Sequence, residues 1–135
     1  MNVDEALALL KEKGYRPTEK RKEILTYLSH QNKYISVKEV IDFLKKDNPG
    51  LSYETVYKNL ALFAEFGILE ETELDGEKRY QLRCDTDHHH HHLICLKCGK
   101  SRTIENCPMG ELPKVDGFDI TGHKFEIYGY CRECH

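Results

Sequence analysis

Residues 52–82 read SYETVYKNLALFAEFGILEETELDGEKRYQL, and a change of hydrophobic period inside this stretch decides the fold. Val56, Leu60 and Phe63 recur at helical spacing behind Ser52, a good N-cap, and Gly67 closes the helix of residues 52–67. Ile68 to Leu74 and Glu77 to Leu82 then read as two strands. They meet at Asp75-Gly76, the dipeptide that a two-residue type I′ turn favours because both of its central residues need positive φ.

Upstream of this stretch the pattern is helical. Val3, Ala6, Leu7 and Leu10 form one stripe that Gly14 stops. Pro17 and Thr18 open a second helix with Ile24, Leu25 and Leu28 inward. Ser36-Val37-Lys38-Glu39 is a capping box for a third helix carrying Val40, Ile41 and Leu44, which Asp47-Asn48-Pro49-Gly50 ends. Helices followed by a two-stranded wing are the layout of a winged helix-turn-helix, whose last helix before the wing is the one expected to enter a DNA major groove. The first turns of that helix, with Ser52, Tyr53, Glu54, Thr55, Tyr57, Lys58 and Asn59, are rich in groups that reach phosphates or base edges. The same architecture also serves protein–protein modules, and composition does not choose between the two.

Downstream the chain changes character. The run Asp87-His88-His89-His90-His91-His92-Leu93-Ile94-Cys95-Leu96-Lys97-Cys98 is answered by Cys131-Arg132-Glu133-Cys134. Two Cys-x-x-Cys pairs supply four thiolates suited to a closed, tetrahedral, structural Zn(II) site. The 32 residues between the pairs exceed what a simple zinc ribbon needs, so the ion is expected to staple the two ends of a small domain. Along a strand His88, His90 and His92 would face one way and His89 and His91 the other, so one strand could feed two further metal sites. Five consecutive histidines are also the pattern of a cloning tag or a solvated low-complexity tract, but a tag sits at a terminus and this run abuts a strand-like Leu-Ile-Cys. A disulfide framework or a thioredoxin-like motif is the rival for the cysteines; no βαβ pattern surrounds them.

Length and charge agree with a two-part chain. In 135 residues there is room for one medium domain or two small ones, and a half of about 50 residues has too little core to stand comfortably without a metal or a partner. Asp4, Glu5, Lys11, Glu12 and Lys13 break the N-terminal segment, so neither a signal peptide nor a membrane span is expected and the protein is expected to be cytoplasmic. Six cysteines in a reducing compartment favour metal ligation. The net charge of −3 is not the footprint of an obvious nucleic-acid binder. Its distribution is uneven: residues 11–58 hold 11 Lys plus Arg against 7 Asp plus Glu, while residues 84–135 hold 6 against 8, so the first half can carry a basic face.

The chain resembles the ferric uptake regulator family of bacterial metal-dependent repressors over nearly its whole length. The resemblance is carried by Gly14-Tyr15-Arg16-Pro17-Thr18 with Arg21 and Ile24-Leu25, by Leu51-Ser52-Tyr53-Glu54-Thr55-Val56-Tyr57-Lys58-Asn59-Leu60, by the His run with both Cys pairs, and by His123-Lys124-Phe125-Glu126-Ile127-Tyr128-Gly129. Within the family it is most similar to zinc uptake regulators, because Cys84 stands just ahead of the His run, where a thiolate favours Zn(II) over Fe(II) or Mn(II). The resemblance implies an α+β fold: a winged helix-turn-helix DNA-binding domain over residues 1–83 and a small α/β zinc-binding dimerisation domain over 84–135. It implies a structural zinc on Cys95, Cys98, Cys131 and Cys134, and a regulatory zinc, between the two domains, on Glu70, Cys84, His90 and His92. A third site would use His89, His91 and His123. Its fourth ligand departs from the family's pattern, since a helical Glu supplies it in relatives and this chain has Pro108, Gly110 and Pro113 there; Glu105, Cys107 and Glu111 are the candidates, and Cys107 suits zinc best. For DNA the resemblance implies Tyr57 and Lys58 as the recognition pair, with Ser52, Tyr53 and Thr55 beside them and Arg16 reaching an AT-rich minor groove. Lys58 stands where the family usually has Arg, a point charge in place of a bidentate fork.

The expected function is therefore that of a homodimeric repressor that binds palindromic double-stranded operator DNA when Zn(II) is plentiful and represses zinc-uptake genes, with no membrane and no small organic ligand as partner. The near alternative is an iron, manganese or peroxide sensor of the same family. A zinc hydrolase or deaminase is the distant one; the chain has no His-Glu-x-x-His helix and no His-x-Glu with a downstream Pro-Cys-x-x-Cys, and the protein is not expected to be an enzyme.

Overall fold

The computed structural model describes residues 1–83, 91–104, 107 and 114–135. The chain divides into two compact units, Met1–Asp85 and Thr86–His135.

The first unit is helical with one small sheet. Its elements are α1 (Val3–Glu12), α2 (Glu19–Ser29), β1 (Ile35–Ser36), α3 (Val37–Leu44), α4 (Tyr53–Glu65), β2 (Leu69–Leu74) and β3 (Glu77–Leu82). Every helix is capped by the side chain its sequence supplies. Asn2 accepts from the Glu5 N–H, Thr18 from Arg21, Ser36 from Glu39 and Ser52 from Thr55, each satisfying a donor that has no partner within the helix. At Ser36 the hydroxyl also donates to the Glu39 carboxylate at 3.3 Å. The end of α4 is a Schellman motif: Gly67, at φ +73°, donates to the Ala64 carbonyl, and Ile68 donates to Phe63. This places the chain reversal two residues after the last helical residue and delivers Leu69 directly into the hairpin.

The apolar residues of all four helices and of the hairpin form one core, with Leu10, Ile24, Leu25, Val40, Leu60 and Phe63 fully buried. Asp75 and Gly76, at φ 52° and 78°, make the expected turn, and Leu74 pairs with Glu77 across it. The wing is wider than the two-strand reading anticipated. Ile35 and Ser36 pair antiparallel with Tyr80 and Arg79, giving a sheet of order β1-β3-β2. Two residues carry too little periodicity to stand out, and Ser36 ends this strand while capping α3.

The second unit is built on β4 (His91–Cys95), β5 (Ser101–Ile104) and β6 (Glu126–Gly129), followed by a short 3-10 turn over Arg132–Cys134. The strand order is β5-β4-β6, with β5 antiparallel and β6 parallel to the central strand. The interrupted helical segment anticipated around Pro108, Gly110 and Pro113 lies outside the described residues. Among the described residues no helix is long and apolar enough to cross a membrane.

Candidate metal centres and DNA-facing helix

Cys95 ends β4 and Cys98 closes the tight loop beyond it, where the Gly99 N–H donates to the Cys95 carbonyl. Cys131 precedes, and Cys134 ends, the 3-10 turn that follows β6. Because β6 lies beside β4, with Cys95 in register with Gly129, the two Cys pairs arrive at the same end of the sheet. Their four sulfurs lie within 4.8 Å of one another. A tetrahedral ion with Zn–S bonds of about 2.3 Å separates its sulfurs by about 3.8 Å. The Cys98 and Cys131 sulfurs are 3.8 Å apart, so the thiols fit that ion.

The electrostatics of the cluster point the same way. Burial pushes the Cys95 thiol up, but hydrogen bonds from the backbone at Cys98, Cys131 and Lys97 outweigh it and bring it down to about 6. Cys134 is pushed up to about 12, first by its hydrogen bond with the Cys131 thiol and then by burial. Four thiolates at contact distance repel one another, so without a cation the first ionisation, at Cys95, opposes the others. A dication removes that conflict.

A second cluster forms nearer the start of β4. His91, Cys107 and His123 offer ligand atoms that all lie within 4.8 Å of one another. The Nε2 atoms of His91 and His123 are 3.2 Å apart, and the Cys107 sulfur is 3.4 Å from His123 Nε2. The His91 and Phe125 rings pack edge to face, their centroids 5.4 Å apart. Tetrahedral zinc with bonds of about 2.0–2.3 Å requires ligand separations of about 3.3–3.6 Å, close to these. Among the described residues Cys107 is brought to the histidines; the other two candidates for the further ligand, Glu105 and Glu111, lie outside them.

His92 is the next residue of β4 and therefore faces away from His91; it is buried and in register with Thr103 and Glu126. Glu70 lies on β2, opposite Gln81. Cys84, His89 and His90 lie outside the described residues, as does His88.

On the first unit, the first turns of α4 sort into two groups. Ser52 and Thr55 are engaged in the cap, their hydroxyls 2.8 Å apart. Asn59 is engaged as well: its Oδ1 accepts from Arg21 Nε at 3.1 Å and its Nδ2 donates to the Thr55 carbonyl. Arg21 in turn donates to the Arg16 carbonyl at 2.8 Å and lies over the Tyr15 ring. Arg21 is thus a brace between the Arg16 loop and α4, a role that no pattern within either segment signals, because the partners are 38 residues apart. Tyr53, Glu54, Tyr57 and Lys58 remain turned outward. The two tyrosine rings are near-parallel at 6.1 Å, and Glu54 pairs with Lys58 at 2.7 Å. The hydrogen bond from Lys58, and then its charge, hold the Glu54 carboxyl below its usual range.

A capped, outward-turned helix backed by a wing, followed by a sheet unit with two clusters of soft and borderline ligands, defines a metal-dependent DNA-binding regulator. The chain belongs to the ferric uptake regulator family, whose model matches residues 12–128. It is 43% identical over 135 residues to the ferric uptake regulation protein of Staphylococcus aureus, covering 99% of this chain and 98% of that one. The ferric uptake regulator of Helicobacter pylori has the same fold, with a TM-score of 0.75 at 22% identity over 99% of this chain and 94% of that one. A zinc-bound manganese uptake regulator is also similar, with a TM-score of 0.66 at 27% identity over 97% and 99%. Members of the family are metal-dependent transcriptional regulators rather than enzymes; they bind operator DNA and are dimers in solved structures.

Proposed function

We propose that this chain is a zinc-responsive repressor that binds operator DNA as a homodimer when loaded with Zn(II) and shuts off genes for zinc uptake. The observation that carries the choice of metal is the convergence of the Cys107 thiol with the His91 and His123 imidazoles. Thiolate with imidazole is a donor set for zinc rather than for the harder Mn(II), and Cys84 adds a second thiol just ahead of the His run.

In this reading Cys95, Cys98, Cys131 and Cys134 hold a structural zinc whose binding energy is folding energy for a unit with a small core. Glu70, Cys84, His90 and His92 hold the regulatory ion, drawn from the wing, the segment after it and the His run. His89, His91, Cys107 and His123 make the third site. When bound, Zn(II) supplies a charge that these ligands must share in one geometry. The loaded ligands then favour the arrangement of the chain that is competent for DNA. To move a dimer from about 1:99 to 99:1 competent, the preference must amount to roughly 5.5 kcal/mol. Two or four regulatory ions per dimer, at a few kcal/mol each, are enough. On DNA, Tyr57 and Tyr53 offer thymine methyls and base edges a flat amphipathic surface, Lys58 a positive charge, and Arg16 the minor-groove contact, with Ser52 and Thr55 fixing the helix start against the backbone. Leu93 and Ile127, adjacent on β4 and β6 and exposed in the single chain, offer an apolar strip to a second copy.

A second reading is an iron- or manganese-responsive repressor, favoured by the names of the S. aureus relative and of the manganese uptake regulator. Transcription from a promoter that the purified protein binds, assayed with each metal added in turn, separates the two. Repression confined to zinc supports the first reading, and repression by iron or manganese alone sinks it.

A further inference from the structure

The outward face of α4 carries an acid where DNA is expected. Glu54 lies in the first turn, its side chain 73% exposed, and its carboxylate holds the Lys58 ammonium at 2.7 Å. The bland account is that Glu54 complements the helix N-terminus and adds an i,i+4 pair. That account has a cost on a DNA-facing helix, where a carboxylate repels phosphates and neutralises a cation that would otherwise bind them. The neighbouring polar side chains do not share this arrangement, since Ser52, Thr55 and Asn59 are engaged in the cap and the Arg21 brace.

We infer that Glu54 and Lys58 act together as a reader of one G·C pair in each half-site, with Glu54 the specificity-determining member. In the major groove guanine O6 is an acceptor and cytosine N4 a donor, and the two are hydrogen-bonded to each other at about 2.9 Å. The Lys58 donor and the Glu54 acceptor are separated by nearly the same distance, 2.7 Å, and carry the complementary sequence of donor and acceptor. Laid edge to edge, Lys58 donates to guanine O6 or N7 while Glu54 accepts from cytosine N4, and the pair exchanges its internal hydrogen bond for two to the bases. A·T presents the amino group and the carbonyl in the opposite order and leaves the carboxylate facing thymine O4, while T·A keeps the order but sets the thymine methyl where guanine has N7, so that Lys58 loses that acceptor. The pair thereby recovers, from two side chains, the paired contact that a bidentate Arg would make at position 58. The inference rests on the DNA-binding reading above.

The test selects binding sites from a pool of random-sequence duplexes with the zinc-loaded full-length protein, as wild type, Glu54→Ala and Glu54→Gln. Wild type is expected to select a fixed G·C pair in each half-site. Both variants should lose that preference by about tenfold at that pair alone, while Glu54→Ala binds random duplex more tightly than wild type because a repulsive charge has gone. A purely structural Glu54 would lower thermal stability and weaken all sites alike. The proposal is overturned if the variants select the same bases as wild type at every position, or weaken all sites uniformly. If wild type selects no sequence at all, both this proposal and the DNA-binding reading fail.

Discussion

His91 and His123 bring their Nε2 atoms to 3.2 Å although 32 residues separate them in the chain. Two neutral imidazoles can share one proton at this distance, but two protonated ones repel, so the pair gains from a dication in place of protons. The Cys107 sulfur stands against the same His123 nitrogen. His123→Ala and Cys107→Ser are each expected to remove one zinc equivalent per chain, leaving the four-thiol zinc in place. Counting bound zinc by native mass spectrometry after mild chelation checks this; full zinc content in both variants would remove the third site from the account.

The four-thiol cluster has a different task. Cys95→Ser or Cys131→Ser leaves three thiols for the ion in a unit whose core is small, and loss of a structural zinc costs the folding energy it supplied. Circular dichroism and sedimentation should show the second unit unfolded and the dimer lost. A variant that remained dimeric with wild-type zinc affinity would show that these thiols are not structural.

Arg21 links the Arg16 loop to α4 by way of Asn59. Arg21→Ala should destabilise the first unit by roughly 1.5–3 kcal/mol, the range for hydrogen bonds to a charged group, and should weaken operator binding beyond what one lost cation explains. Chemical denaturation together with binding at two salt concentrations tests both halves of this expectation. A variant with native stability and a loss confined to the salt-dependent part would reduce Arg21 to a phosphate contact.

Tyr57 and Arg16 should fail differently. Tyr57→Ala is expected to cost about 1–3 kcal/mol of operator affinity and to flatten preference at one base pair. Arg16→Ala should act mainly through counterion release, lowering the slope of log affinity against log salt by about one per subunit contact. Unchanged binding in both variants would favour a protein–protein role for the winged helix.

Much of the first unit was legible because its signals are local. Ser52, Gly67 and the Asp75-Gly76 turn each act on neighbours a few residues away, and periodicity in Val56, Leu60 and Phe63 does the rest. The β1 strand was not legible, since Ile35 and Ser36 are a strand only by virtue of Tyr80 and Arg79. The Arg21–Asn59 brace is equally non-local, its partners 38 residues apart in the chain. In the second unit the Cys spacing announces a metal site and residue type favours Cys107 over two glutamates, whereas the approach of Cys107 to His91 and His123 depends on how the chain returns to the sheet.

Zinc is expected to govern DNA binding through ligands distinct from the four thiols that hold the fold. Operator binding titrated against buffered free Zn(II), Fe(II) and Mn(II), for wild type and for Cys84→Ser, tests it most directly. Wild type should reach full binding at far lower free Zn(II) than Fe(II) or Mn(II). Cys84→Ser should stay dimeric, keep its structural zinc and lose the zinc-dependent step. Full binding by Cys84→Ser at the wild-type zinc concentration, or a wild type that responds to Fe(II) or Mn(II) and not to Zn(II), would contradict the account.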